Sequence, residues 1–369
     1  MAIPLGPFEL DHPIGRGGMG VVWVGRHRSQ GVPVAVKVIT GKAANTDEYH
    51  RAFHQEVRAV SMLDHPGVVW IFDSGTIPAE TAAASRSELV EGSPYLVMEY
   101  ASHGTLRQQN RLVPWPEVRA ILMSLLDALA HAHARGVLHR DLKPDNVLIA
   151  GSEDLRPGFK ITDFGIARPL DDSAAADQRP VGTPQYMSPE QIRNDVEQYG
   201  PHTDLYALGN LAWRLVCGKL PFHGQKGAAL MYSQLQRPPP PLEPAIDVPP
   251  GIEEFLRTLL AKAPHDRFQR AADAALALAS LSDAGPARSA TFQIERAGGD
   301  ELDLDTATLK IVVSGRHTRP TRPGPQVRPE LPATWRLPPT ASRPLRLMGA
   351  GLGLFGTRPV PLVDREDER

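Results

Sequence analysis

The stretch HRDLKPDN, residues 139–146, crowds charged and polar groups between apolar flanks. Within six positions it offers Asp141 as a proton acceptor, Lys143 as a cation for a phosphate and Asn146 as a metal-binding oxygen. A second carboxylate, Asp163, follows in ITDFGIA, just after an apolar run. Phosphoryl transfer from a nucleotide needs this set: oxygen ligands for a metal, a cation near the transferred group, and a base that orients the attacking hydroxyl. Charged turns are common, but these pieces in this order are not.

Two further stretches fit the same chemistry. IGRGGMGVVW holds Gly15, Gly17 and Gly20 in a G-x-G-x-x-G pattern. Valines and a tryptophan follow the last glycine, so the pattern predicts strand, turn, strand rather than the strand-to-helix turn of a dinucleotide fold. Taken alone it is either a flap whose N–H groups close over phosphates or an ordinary glycine hairpin. VPVAVKVI sets Lys37 in an apolar strand, with Ala35 and Ile39 on its face and Val34, Val36 and Val38 on the other. A lysine there must reach water or meet an anion. Glu56 is the natural candidate, near the apolar stripe of a helix marked by Phe53, Val57 and Val60. The bland reading is two unrelated surface charges.

The elements that must position these groups change along the chain. β-rich runs at 19–27, 32–39 and 93–100 surround one helical segment between Asp47 and Asp64. From Trp115 the periodicity is helical, in PEVRAILMSLLDALAHAHARG, TDLYALGNLAWRLVCG and GIEEFLRTLLAK. A small β-rich lobe followed by a larger helical one is expected. Residues 77–93, small and polar, read as a loop insertion. The 369 residues are 41% hydrophobic, enough for a large core, and the net charge of −2 gives no footprint for nucleic acid or an anionic membrane. The single cysteine, Cys217, cannot form an internal disulfide. No export signal or membrane-spanning run is apparent, so a soluble, cytoplasmic protein is expected.

Together these residues resemble the eukaryotic-like serine/threonine protein kinases of bacteria, over about residues 8–282. The resemblance implies an α+β, two-lobed protein kinase fold: an N-lobe over about 8–100 with one key helix, and a helical C-lobe over about 101–282. It implies ATP with Mg2+, or Mn2+, as cofactors and serine or threonine hydroxyls on proteins as substrates. Asp141 matches the catalytic aspartate, assisted by Lys143; Asn146 and Asp163 match the metal ligands; Lys37 and Glu56 match the lobe's ion pair. Ile14, Gly15, Arg16, Gly17, Gly18, Met19, Gly20 and Val22 match the glycine loop. Val22, Ala35 and Leu148 would sandwich adenine, Met98 matches the gatekeeper, and Glu99 to Ala101 the hinge. GTPQYMSPE resembles the substrate loop, with Thr183 facing the catalytic loop, Ser188 in place of the usual alanine, and Glu190 paired with Arg267. Asp204 matches the aspartate that braces the catalytic loop; Val60, His139 and Phe164 match the spine linking the lobes. The rival within this fold is a pseudokinase, a nucleotide-binding scaffold; loss of Lys37, Asp141 or Asp163 would favour it, and all three are present. A small-molecule kinase is disfavoured by the protein-substrate loop.

Residues 283–369 are rich in proline and arginine and read as an extended, mostly disordered tail. Its last residues, RPVPLVDREDER, resemble the lead-in to an ATPase domain. DELDLDTATLK puts Thr306 and Thr308 beside acids, the candidate autophosphorylation sites of the tail. Between Phe164 and Gly182 the one hydroxyl residue is Ser173, a third candidate phosphosite, beside Asp171, Asp172 and Asp177.

Overall fold

The computed structural model describes residues 2–17, 20–40, 46–86, 88–109, 111–164 and 184–281. A six-stranded antiparallel sheet opens the chain, in the order β1 (Ile3–Leu5), β2 (Phe8–Gly17), β3 (Gly20–His27), β4 (Pro33–Ile39), β6 (Pro94–Glu99), β5 (Ile71–Thr76). It begins before residue 8, because β1 pairs with β2 across Gly6, whose φ of 55° suits the turn. Helix α1 (Asp47–Ser61) starts where the Tyr49 N–H donates to Thr46 Oγ1 at 3.3 Å.

The alternation expected for β4 decides what each face does. Val34, Val36 and Val38 bury into one cluster with Phe8, Leu10, Trp23 and Val97. On the other face Ile39 joins the main core with Phe53, Val57 and Val60 of α1, Ala35 joins a small cluster at the cleft, and Lys37 is left 8% exposed.

The segment at 77–93 is not a plain loop. It contains α2 (Ala79–Ala84), whose Thr81 Oγ1 donates to Pro4 O at 2.6 Å, and it buries Leu89. Its alanines are strong helix formers, and the small side chains let the helix lie against β1; small and polar composition was a misleading signal.

Beyond β6 the chain is helical: α3 (Trp115–His133), α4 (Pro189–Arg193), α5 (Pro201–Cys217), α6 (Gly227–Gln236), α7 (Ile252–Leu259) and α8 (Ala271–Ser280). Buried Leu122, Leu125, Leu129, Leu208, Leu211 and Leu256 hold α3, α5 and α7 in one core that continues to α1. The hairpin β7 (Val147–Ala150) and β8 (Gly158–Ile161) lies between the lobes and carries the polar loops at its ends. Ile161 of β8 is tied to the α1–β5 connection, donating to Gly67 O at 2.8 Å and accepting from the Val69 N–H at 3.0 Å.

Candidate active site

The catalytic-loop residues stand on a buried carboxylate. Asp204, near the start of α5, is fully buried and accepts from the backbone N–H of His139 at 2.8 Å and of Arg140 at 2.7 Å. His133 Nε2, on α3, adds a 2.8 Å bond. Burial opposes the charge on Asp204, yet these bonds outweigh it and hold the carboxyl below its ordinary value. The grip matters because Arg140 has a left-handed backbone, φ 64°, which a non-glycine residue holds only when its surroundings impose it. Gln191 Nε2, on α4, fixes the same turn by donating to Arg140 O at 2.6 Å. His139 is 0% exposed; its Nδ1 accepts the Asp141 N–H at 3.2 Å and its Nε2 lies 2.8 Å from Thr162 O, which specifies the Nε2–H tautomer.

On this support the reactive groups converge. Lys143 Nζ lies 2.7 Å from Asp141 Oδ2. Asn146 Nδ2 donates to Asp141 O at 2.8 Å and to Asp141 Oδ2 at 3.2 Å. Both contacts to the Asp141 carboxylate fall on one oxygen, so among the described residues Oδ1 faces no protein donor. The Asn146 amide is oriented by its two donated bonds, which turns its carbonyl oxygen outward. The Thr162 N–H donates to Asn146 O at 3.0 Å and so joins this loop to the chain entering Asp163.

Asp163 also has a left-handed backbone, φ 62°, and Lys37 Nζ meets its Oδ1 at 2.8 Å. Burial alone would raise its pKa; the Lys37 ammonium reverses this and leaves the carboxyl below its usual range. Phe164 is 2% exposed and packs on His139 with ring centroids 4.8 Å apart, so the spine expected from Val60, His139 and Phe164 lies in the main core. Glu56, the partner that sequence reasoning gave Lys37, lies half-buried on α1 between Phe53 and Val57.

The glycines of the nucleotide flap are of two kinds. A Cβ on Gly20 would come 2.1 Å from Val38 O, and its φ is 150°. Gly20 is therefore required by the β3–β4 contact itself. Gly15 and Gly17 have nothing within 4 Å of a Cβ, so no protein neighbour explains them. They leave backbone open to a ligand, as a phosphate flap needs. Gly18 and Met19, at the tip, lie outside the described residues. Ile14 is 47% exposed beside them, and Arg16 reaches Glu88 at 3.3 Å.

Val22, Ala35, Met98 and Leu148 share a small apolar cluster with Val69 and Tyr100, the latter two missed from sequence. Glu99 was expected at the hinge; its side chain, 2% exposed, does more than the sequence suggested. Arg156, before β8, grips it bidentately at 2.8 and 2.6 Å, donates to His65 O and Val68 O, and stacks 3.7 Å from the Trp70 ring centroid. Lys160 adds a 3.2 Å contact to Glu99 and a 2.9 Å bond to Pro66 O. Burial pushes Lys160 down to about 8 despite Glu99. One buried carboxylate thus ties β6, the α1–β5 connection and β8 together. No local signal announces it, since Arg156 and Glu99 are 57 positions apart.

Below the cleft Glu190 and Arg267, both with fully buried side chains, form a bidentate pair at 2.8 and 2.9 Å. Burial opposes the Glu190 charge, and Arg267 with Thr203 more than offsets it, lowering its pKa. Ser188, replacing the usual alanine, caps α4 through Gln191. Thr183, Ser173, Thr306 and Thr308 lie outside the described residues.

Two oxygen donors, Asp163 and Asn146, suit a hard cation that keeps waters and takes its remaining ligands from phosphates, as Mg2+ does. Among the described residues no cluster of three His, Cys, Asp or Glu could cage a metal by itself.

A two-lobed fold with this cleft defines the class, and the comparisons agree. The chain belongs to the protein kinase family: the family model for the protein kinase domain matches residues 8–277. Its relatives are bacterial. It is 37% identical over 278 residues to the serine/threonine-protein kinase Pkn1 of Myxococcus xanthus, covering 73% of this chain and 37% of that protein. It is 34% identical over 284 residues to the serine/threonine-protein kinase PknA of Mycobacterium tuberculosis, covering 75% of this chain and 61% of that one. The chain spans well under half the length of the first relatives, 37% and 39%. The kinase domain of Mycobacterium tuberculosis PknI, 24% identical, shares the fold with a TM-score of 0.55, covering 76% of this chain and 98% of that one. Among the described residues no helix is long and apolar enough to cross a membrane.

Proposed function

We propose that this chain is an active serine/threonine protein kinase, moving the γ-phosphoryl group of ATP to hydroxyls on proteins in cytoplasmic signalling. The observation that carries the reading is the Lys37–Asp163 contact at 2.8 Å across a cleft whose catalytic loop is already ordered on Asp204. The cleft's apolar cluster would hold adenine, with backbone from Glu99 to Ala101 as its polar edge. Asp163 and the Asn146 oxygen would hold Mg2+, or Mn2+, which supplies charge neutralisation at the phosphates when bound.

The chain's own groups do the rest. Lys37 steadies the α- and β-phosphates, and Glu56 holds Lys37 when the nucleotide is in place. Asp141 Oδ1 takes the hydrogen bond of the substrate hydroxyl and receives its proton as the oxygen attacks the γ-phosphorus and ADP departs. Lys143 offsets the charge that builds on the transferred group. Positioning and electrostatics carry most of the acceleration. The pseudokinase alternative has no observation in its favour, since Lys37, Asp141 and Asp163 all stand in working geometry.

The test is transfer from ATP and magnesium to candidate proteins, read by mass spectrometry, with Asp141→Asn beside the wild type. Loss of a positioned base costs about 10²–10⁴-fold in rate, so near-complete loss of transfer with nucleotide binding retained is expected. Near wild-type turnover by a folded Asp141→Asn protein would overturn the assignment.

A further inference from the structure

A groove of about 340 Å3 runs beside the catalytic loop, between the stretch ahead of α3 and the end of α5. Its floor is apolar, from Leu106, Val113, Leu211 and Leu215, and its wall includes Pro144 of the loop that carries Asp141 and Lys143. Leu112 on the rim is 50% exposed. The rim is also basic. Arg111 and Arg214 line it, and Arg107 stands nearby with a side chain 59% exposed. Arg214 bonds the Tyr186 hydroxyl, which carries the basic rim towards the substrate loop. Two acids face these arginines, Glu117 against Arg111 at 3.2 Å and Asp145 against Arg107 at 3.3 Å. Both pairs are exposed enough to be exchanged for other carboxylates at little cost.

The geometry points to one occupant: the chain's own acidic segment, residues 300–305, docked in this groove so that Thr306 and Thr308 reach the catalytic loop. Three observations carry it. First, the described chain ends in the right place. Arg119 in the first turns of α3 donates to Ala279 O at 3.2 Å, so α8 delivers Leu281 beside the helix whose start borders the groove. Eighteen residues separate Leu281 from Asp300, a reach of up to about 60 Å, far more than is needed.

Second, the segment's pattern matches the groove's. In DELDLD, Leu302 and Leu304 alternate with Glu301, Asp303 and Asp305. Laid down extended, the two leucines share one face and the acids the other. Leucines suit the apolar floor and carboxylates suit the arginine rim. Third, the choice is selective. From Arg316 onward the tail is arginine-rich, and the same rim repels it. Tethering raises the local concentration of the segment without any further contact. Thr306 stands two positions past Leu304, about 7 Å along an extended chain.

Docking itself does not depend on catalysis; its consequence at Thr306 and Thr308 rests on the transfer proposed above. The full-length chain is therefore tested twice. Hydrogen exchange without ATP should show residues 106–113 more protected in the wild type than in Glu301→Lys/Asp303→Lys; equal protection overturns the proposal whatever the enzyme does. With ATP and magnesium, Arg107→Glu/Arg111→Glu should lower phosphate on Thr306 and Thr308 at least five-fold, while turnover of an unrelated protein substrate stays within two-fold. Combining that variant with Glu301→Lys/Asp303→Lys should restore at least half of the tail signal, a rescue that a structural defect would not show. Wild-type tail phosphorylation in the arginine variant, or no rescue, counts against the groove. A rate per molecule that rises in proportion to enzyme concentration would replace the chain's own tail by a second copy's and overturn docking in cis. Absence of any transfer by the wild type sinks the kinase reading alone, and the exchange result still decides the docking.

Discussion

Residues in this site owe their identity to different neighbours, and substitution separates them. Gly20→Ala drives a Cβ into Val38 O and forces a conformation that side chains avoid, so it should cost about 1–3 kcal/mol of stability. Gly15→Ala meets no protein atom; it should melt like the wild type yet bind ATP more weakly. Thermal melts and nucleotide titration on both variants check this pair, and a stability loss for Gly15→Ala equal to that of Gly20→Ala would refute it. The sequence showed the three glycines as one motif. It did not show that one serves the sheet and two face the cleft, because that depends on β4 passing under β3. The motif residues were legible for the opposite reason: Asp141, Lys143 and Asn146 sit within one turn-rich loop, so their spacing nearly specifies their geometry. His133 and Arg156 were invisible, as their partners come from distant chain.

At the level of elements, the strands and long helices followed from periodicity, since β4 and α1 each bury a regular face. The helix α2 did not, because six residues with small side chains carry no apolar stripe. The joint between α4 and the α7–α8 connection is a buried ion pair in which Arg267 uses all five donors: on Glu190 twice, Ala261 O, His202 O and Lys262 O. Removing one partner strands a buried charge. Glu190→Gln should therefore cost about 3–5 kcal/mol, and the double variant Glu190→Gln/Arg267→Met should lose less than the sum of the two single losses. Denaturant unfolding of all four proteins measures this; strict additivity would mean that the pair does not act as a unit. A second joint is Lys37 with α1. Activity losses for Lys37→Met and Glu56→Gln should likewise fall short of additive in the double variant, if Glu56 closes on Lys37 during turnover.

For the whole molecule, acidity sets a term in stability. Lys262 Nζ donates to Tyr206 Oη at 3.1 Å and Gln234 O at 2.8 Å, and lies 4.9 Å from the Phe222 ring, with no carboxylate in contact. Burial, aided by Arg267, pushes its pKa down from 10.5 to about 7. Below about 7 the lysine is protonated folded and unfolded, and the burial penalty is fully present. Above it the folded form sheds the proton while the unfolded chain keeps it, so stability rises with pH up to the unfolded value. Relative to Lys262→Met, the wild type should gain stability between pH 7 and pH 9, by a fraction of the ~1.4 kcal/mol per pH unit of an unscreened group. Identical pH slopes for the two proteins would dismiss the effect. The Arg156–Glu99–Lys160 cluster has a mechanical consequence at the same scale. It welds the base-binding edge to the strand that leads into Asp163, so those two walls of the cleft move as one body. Exchange of spent for fresh nucleotide must then be gated by the opposite wall, β2 and β3 with their glycine turn, lifting like a tailgate on a chassis that stays rigid.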